Sequence, residues 1–487
     1  MHKKILTLGI YASILSSCSF FSPEYQKPET ETPIAWAQQN KDIDTDSDVN
    51  LTNVAWWRLF NDSQLNSFIT IALRDNNQLQ VAIGNIKQAQ AEIDKANYSW
   101  LPTATVGGGG FVAQTFASDV SGPAKQVLPN NSGTYSGSLV GVVPSYTINL
   151  VREIKMGEIA RLGAKMQENL KNAARLSVIS QVSASYFSLV TAKSQLVEQE
   201  RKVKQYGDLL YYTQKQYDLG SASKANLTAT NQQLETEKGK LANIKNDIVH
   251  FKNTLRILMG KNPGEIDSGK TLDELNIEHS VPTNLPSTVL ESRPDVAIAE
   301  YRLQTANANI GLARSQFFPS IDLTGAFGNA TLALAQLATM NAGVWAGQVL
   351  AAAPVFNMTI LADSDKAKAQ FYEGYYEYMN TVHTAFQDVD DDLSEHSSAN
   401  EELAREIASL NSANELNNIF NQKYKKGAIS KMEYTVSEIN ITNQQMQVNQ
   451  SKMKTLLSIV NLYQSFGAGY NVDNYSSAVE SNPAWSK

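Results

Sequence analysis

Proline placement sets the outline of what this chain can fold into. None of its 14 prolines falls between Pro144 and Pro263, and none between Pro354 and Pro483. Proline breaks helix interiors, so long proline-free windows are where long helices can form. Both windows are rich in Ala, Gln, Lys, Glu and Leu, which favour helix. Apolar residues recur every seven positions within them: Val182, Leu189, Leu196, Val203, Leu210 and Tyr217, then Leu227, Leu234, Leu241, Ile248 and Leu255. In the second window Tyr434, Ile441, Val448, Thr455 and Leu462 keep the same step. A sustained spacing of seven implies packed helices with a left-handed supercoil. A helix from about Thr147 to Tyr217 would run roughly 105 Å at 1.5 Å per residue, far longer than a globular helix.

Each window contains one break. Residues 217–223 carry Tyr217, Gly220 and Ser223, and residues 424–430 carry Tyr424, Gly427 and Ser430. Glycine supplies the positive φ of a helix C-cap, and a serine three residues on is a good N-cap for the next helix. Each window therefore reads as a helical hairpin with a tight turn. Gly220 and Gly427, Ser223 and Ser430, and Gly260 and Gly467 are each 207 residues apart. A period this long marks duplication of a whole unit rather than a solenoid repeat. Five segments follow: 1–17, 18–60, a first repeat at 61–275, a second at 276–470, and a tail at 471–487.

Between its first helix and its hairpin, each repeat holds a Gly-, Ser- and Thr-rich stretch read as a strand pair, at 103–146 and 320–356. The outgoing strands are expected at Thr103–Ala113 and from Ile321, and the return strands at about Tyr135–Val143 and Val344–Val355. They alternate weakly, as membrane-barrel strands do. The proline-bounded arrangement puts Pro144 and Pro354 between strand and helix. Four strands cannot close a barrel, since single-chain outer-membrane barrels begin at about eight. An open edge in lipid leaves backbone groups unsatisfied. Several chains must then share one barrel, and three copies would give twelve strands above a ring of helices. The fold class is mixed but mainly α: a long coiled helical barrel, a small β-barrel contribution of four strands per chain, and a homotrimeric tube.

The N-terminus adds a compartment. Lys3 and Lys4 precede the apolar stretch Ile5–Leu15, and Leu15-Ser16-Ser17-Cys18 closes it with small residues. That pattern is a secretory signal, and its last four residues resemble a bacterial lipobox with Cys18 as the acylated residue. Cys18 is the one cysteine, so no intrachain disulfide can form. Net charge is -7, which gives no general pull toward nucleic acid. The longest nearly uninterrupted apolar run beyond the signal, Val344–Phe356, is too short for a membrane-crossing helix. Five isolated histidines and the absence of HExxH, Walker and GxSxG patterns argue against an enzyme. No cofactor beyond a covalent lipid is expected, and the pair Asp392 and His396 is at most a weak metal chelate.

Several ordered motifs resemble the TolC-like outer membrane factor family. They are Pro23-Glu24-Tyr25-Gln26-Lys27-Pro28, Trp56-Trp57-Arg58-Leu59-Phe60-Asn61-Asp62, and Ser292-Arg293-Pro294-Asp295-Val296. Ala308-Asn309-Ile310-Gly311-Leu312-Ala313-Arg314 with Phe317-Phe318-Pro319 completes the set. The last block resembles lipoproteins serving resistance-nodulation-division (RND) pumps. The resemblance implies a homotrimeric exit duct of a tripartite efflux pump, lipid-anchored in the outer membrane, with a periplasmic adaptor and an inner-membrane RND transporter as partners. Ser19 after the cysteine favours outer-membrane sorting on the same grounds. The chain departs from the pattern around Asn149 and Arg152, where relatives carry an acidic residue and a glycine, which puts that strand-to-helix junction in question.

The resemblance also implies sites. Asp391, with Asp388 and Asp392, falls where relatives carry a gate carboxylate, giving a ring of like charges at the narrow end of a trimer. The two turns, with Tyr217, Gly220, Ser223, Tyr424, Gly427 and Ser430, fall where adaptor hairpins dock. Cys18 carries the lipid. The rival class is a structural coiled-coil lipoprotein tethering the envelope; it leaves the two strand-pair segments unexplained. A periplasmic adaptor is a second rival, but the chain lacks the strand-rich stretches it needs.

Overall fold

The computed structural model describes residues 24–29, 51–114, 134–267, 269–275, 290, 292–334, 338–354 and 356–472. Cys18 and residues 473–487 of the tail lie outside the described residues. Among the described residues there are seven α-helices: α1 Ser63–Asp75, α2 Asn77–Tyr98, α3 Leu150–Asp218, α4 Lys224–Leu258, α5 Pro294–Arg314, α6 Met358–Lys425 and α7 Lys431–Ser465. α3 has 69 residues and α6 has 68. Four strands, β1 Thr103–Gln114, β2 Thr134–Ile148, β3 Ser320–Leu334 and β4 Ala338–Ala352, form one antiparallel sheet in sequence order. The described residues fall into two compact units, the first mainly from Gln88–Lys165 and Tyr301–Tyr375, the second mainly from Met166–Glu300 and Tyr376 onward. Each unit draws on both sequence repeats.

The second unit holds most of the hairpins α3–α4 and α6–α7, from Met166 of α3 and Tyr376 of α6 onward. Of the heptad residues on α4, Leu227, Leu234, Ile248 and Leu255 are buried. In the first hairpin, buried Glu237 accepts from the Gln199 amide at 2.8 Å and pairs with Lys202 at 3.3 Å and Lys240 at 3.0 Å. The equivalent positions of the second hairpin, 207 residues on, hold the neutral pair Ser409 and Gln444, 3.1 Å apart. α3 also packs along α7: the Gln195 amide donates to the Met446 carbonyl at 2.8 Å, and the Thr442 hydroxyl to Gln205 Oε1 at 3.0 Å. Trp56 and Trp57 are fully buried, Trp56 stacks on Tyr463 at 5.0 Å, and Phe60 meets Phe187 at 4.8 Å. The tryptophan motif is thus core of this unit.

The first unit holds the sheet, and two expected boundaries change there. β2 runs through Pro144 to Ile148 instead of ending at Val143. Proline has no N–H for a ladder, yet Pro144 pairs in register with Ala104 of β1. On the other side its ring occupies the space over Gly325, 3.1 Å from where a Cβ would stand. The glycine makes room, so the strand continues. β4 begins at Ala338, six residues before the expected Val344, and ends at Ala352. The questioned junction is clean: Asn149 follows the last residue of β2, and its Oδ1 accepts from the Arg152 N–H at 3.1 Å, an N-cap for α3.

Register makes visible a facial division that the sequence showed only weakly. Val106, Val142, Phe327 and Trp345 stand opposite one another across all four strands, 81%, 42%, 56% and 79% exposed. Three residues away and on the other face, Thr103, Ser145, Thr324 and Gln348 form a second row, with the Thr103 and Ser145 hydroxyls 2.8 Å apart. Val140, Tyr146, Leu323 and Val349 extend the apolar face; Thr147, donating to Asp322 at 2.6 Å, extends the polar one. Among the described residues no helix is long and apolar enough to cross a membrane.

Candidate functional site

Arg293 precedes Pro294, which opens α5 with the φ that a first helical turn requires. Its guanidinium is buried and forked. Nε donates to Asp295 Oδ1 at 3.1 Å, and Nη2 donates to Asp295 Oδ2 at 2.7 Å and to Asp388 Oδ2 at 2.9 Å. Nη1 donates to the Ser465 carbonyl at 3.0 Å and approaches the Ala385 carbonyl at 3.4 Å. One side chain therefore ties the start of α5, the middle of α6 and the last residue of α7. Burial opposes the charge, but the two carboxylates hold the Arg293 pKa above its ordinary value. Burial likewise opposes ionisation of Asp295, and Arg293 outweighs it, leaving that carboxyl below the usual range.

A cavity of about 540 Å³ opens beside this cluster, lined by Ser177, Asp391, Asp392 and Asn461 among others. The three expected gate carboxylates differ in state. Asp388 is committed to Arg293. Asp391 is exposed, with the Gln387 amide 3.3 Å from its Oδ2. Asp392 is half-buried, and burial pushes its carboxyl up despite a hydrogen bond from Ser465, with Asp388 and Glu395 adding to the rise. None of them stands at a hairpin tip. Asp391 precedes the end of α6 by 34 residues, about 50 Å at 1.5 Å per residue. The acidic run lies mid-helix, with Asp388 tied to Arg293 and Asp391 left exposed beside Gln387.

A raised carboxyl pKa contributes stability at low pH that is lost as pH rises through the folded value. Asp392→Asn is therefore expected to raise the melting temperature at neutral pH by a few degrees. The gain should vanish below about pH 3.9, where the wild-type carboxyl is protonated in both states. Thermal unfolding across that range checks it; a destabilised variant at neutral pH would contradict the assignment. His396 is no chelate with Asp392. Its Nδ1 lies 2.9 Å from the Ser458 hydroxyl and its Nε2 3.0 Å from the Asn400 amide, and burial lowers its pKa. Among the described residues no group of acidic, His or Cys side chains is placed to hold a metal.

The two turns share one scaffold. Gly220 and Gly427 have φ of 73° and 72°. Ser223 Oγ accepts from the Asn226 N–H, and Ser430 forms a reciprocal capping box with Glu433. Tyr217 carries the Lys224 ammonium 5.5 Å above its ring, and Tyr424 carries that of Lys431 at 5.3 Å. Tyr424 also stacks on Tyr434 at 5.5 Å. The Thr213 hydroxyl reaches Met432 Sδ at 3.9 Å, so the tips stand side by side.

The sequence profile of the outer membrane efflux protein family matches residues 68–261 and 285–468. The chain belongs to that family. It is similar to the toluene efflux pump outer membrane protein TtgC of Pseudomonas putida, 27% identical over 477 residues and 96% of each chain. It also matches the probable outer membrane lipoprotein SilC of Salmonella typhimurium, 26% identical over 475 residues, 94% of this chain and 97% of SilC. Its fold is that of the Campylobacter jejuni outer membrane channel CmeC, with TM-score 0.79 at 24% identity over 94% of this chain and 98% of CmeC. The family's members are channel proteins rather than enzymes. Sequence alone marks Arg293-Pro294-Asp295 as a signature and gives no chemistry for Arg293. An arginine immediately before a Pro-Asp helix start was the available signal, but its partners Asp388 and Ser465 are remote in sequence.

Proposed function

We propose that this outer membrane efflux protein is the exit duct of a tripartite pump, passing substrates from a periplasmic adaptor and an inner-membrane RND transporter to the exterior. The observation that carries this reading is the four-stranded sheet, with an exposed apolar row on one face, a Thr/Ser/Gln row on the other, and edges at β1 and β4 that no further strand covers among the described residues. An apolar face suits lipid and a polar face suits an aqueous lumen. Free edges in lipid are satisfied only by another sheet, so three copies sharing twelve strands close the barrel. The hairpins of both repeats, residues 61–275 and 276–470, then extend the duct into the periplasm. Their turns at Tyr217, Gly220 and Ser223 and at Tyr424, Gly427 and Ser430 meet the adaptor. Cys18 carries the acyl chains, a role supported by the lipobox-like Leu15-Ser16-Ser17-Cys18 and by the likeness to SilC. Two or more chains are needed for stable anchoring.

Asp391, the exposed member of its triad, supplies a ring of three carboxylates to the trimer and filters by charge rather than by closing the tip. Purified protein in planar bilayers is expected to give a cation-selective conductance, and Asp391→Ala to reduce that selectivity several-fold. Unchanged selectivity would remove Asp391 from the conduction path. No conductance from correctly folded, inserted protein would favour the envelope tether.

A further inference from the structure

The two hairpin tips are duplicates of one another at a spacing of 207 residues, and what they retain is the scaffold. Both have the left-handed glycine, the capping serine and the tyrosine under a lysine. The difference in charge lies in the last residue of the incoming helix and the one after it, while Ser221 and Ala222 give way to the uncharged Ala428 and Ile429. Asp218 and Leu219 of the first tip correspond to Lys425 and Lys426 of the second. Asp218 is bonded to the Gln214 amide at 2.7 Å, and Leu219 is 82% exposed. Lys425 and Lys426 are exposed, and among the described residues neither has an acidic partner in an ion pair. Lys423 and Lys431 add to the same end, one over Phe420 at 5.9 Å, the other over Tyr424 and near Glu438 at 3.6 Å. The acidic residue at this turn, Glu433, is occupied by the Ser430 N–H and hydroxyl at 2.8 and 2.9 Å. An acidic chain of net charge -7 thus concentrates four lysines within nine residues at one tip only.

Resting on the reading that the tips dock the adaptor, we infer that the second tip selects a carboxylate-bearing adaptor segment through Lys425 and Lys426, while the first tip receives an apolar side chain on Leu219. Matching turn scaffolds with different charge at the helix end fix which adaptor segment meets which hairpin. Exposed cations steer encounter and penalise a like-charged partner more than they add to a final contact. Screening shortens their reach to about 8 Å at physiological salt.

The test uses the full-length trimer in detergent and two synthetic helical-hairpin peptides, one with glutamates at its turn and one with glutamines. The glutamate hairpin is expected to bind at least about tenfold more tightly, with the preference lost at high salt and in Lys425→Gln/Lys426→Gln, and kept in Lys425→Arg/Lys426→Arg. Equal binding of the two peptides would overturn the inference. So would vesicles of phosphatidylglycerol that bind through these lysines while the glutamate hairpin does not, which would assign the patch to lipid. In cells carrying the cognate adaptor and pump, Lys425→Glu/Lys426→Glu should lower efflux as severely as Gly427→Trp with the trimer intact. A pumping double-glutamate variant beside an inactive Gly427→Trp refutes the charge inference alone. Normal efflux from Gly427→Trp refutes docking at the tip itself.

Discussion

Replacing Arg293 with alanine is expected to destabilise the fold by about 3 kcal/mol, with unfolding beginning where α5, α6 and α7 meet. Removing one partner of a buried ion pair typically costs about 3–5 kcal/mol, because the remaining charges keep their burial and lose their compensation. The lower end applies because the side chains of Asp295 and Asp388 are nearly half exposed while that of Arg293 is not. The Ser465 carbonyl loses its donor as well, and it terminates α7. Arg293→Lys should recover little, since a single ammonium cannot fork between two carboxylates and a carbonyl. The pH dependence has a defined sign. Asp295 has a depressed pKa, so its contribution is present above its unfolded value near 3.9 and is lost as pH falls through the folded value. The gap between wild type and Arg293→Ala should therefore be full at neutral pH and narrow in acid. Denaturant unfolding at both pH values reads this directly, and hydrogen exchange at Ala385–Asp388 and Ser465 should rise first. A variant within 1 kcal/mol of wild type, on the order of a surface substitution, would show that the cluster is ornamental.

The hairpins were legible because two strong local signals coincide: heptad rows that end up buried, such as Leu227, Leu234, Ile248 and Leu255, and a glycine and serine whose backbone demands are specific. The helix expected from about Thr147 to Tyr217 runs from Leu150 to Asp218. Strand limits were not legible, because proline is normally a stop and Pro144 is not one. Its tolerance depends on Gly325, which lies far away in the sequence and adjoins it only once the sheet has formed. The facial division was hidden for a related reason. Gly107–Gly110 carry no side chain to alternate, so the division appears only when β1 is read against β2, β3 and β4. The acidic run is visible in the sequence, but its position along the hairpin is not. Counting residues along an unbroken α6 places it about 50 Å from the turn. Its Arg293 partner is a non-local fact that periodicity cannot carry.

The seam between the two repeats is where a single substitution should do most damage. β2 belongs to the first repeat and β3 to the second, so their pairing alone joins the halves of the sheet. Gly141 and Gly328 face each other on that seam. A Cβ added at Gly328 would overlap the Val140 carbonyl and lie 2.6 Å from the Gly141 Cα, and one at Gly141 would overlap the Phe327 carbonyl. These obstacles are backbone, which cannot swing aside as a side chain does. Gly328→Val should cost on the order of 3 kcal/mol or more and open the ladder where both flanking strands need it. With the sheet split, each half has an additional free edge, and closure of a shared barrel fails. Heat-resistant trimer in detergent gels is expected to disappear, and outer-membrane insertion with it. Gly107→Ala is the matched control: it also lies within the glycine-rich strands, but nothing stands within 4 Å of its would-be Cβ, so trimer should persist. Loss of trimer in both variants would mean that the strands tolerate no added bulk anywhere. Trimer retained in Gly328→Val would mean that the β2–β3 seam is not what holds the two repeats in one barrel.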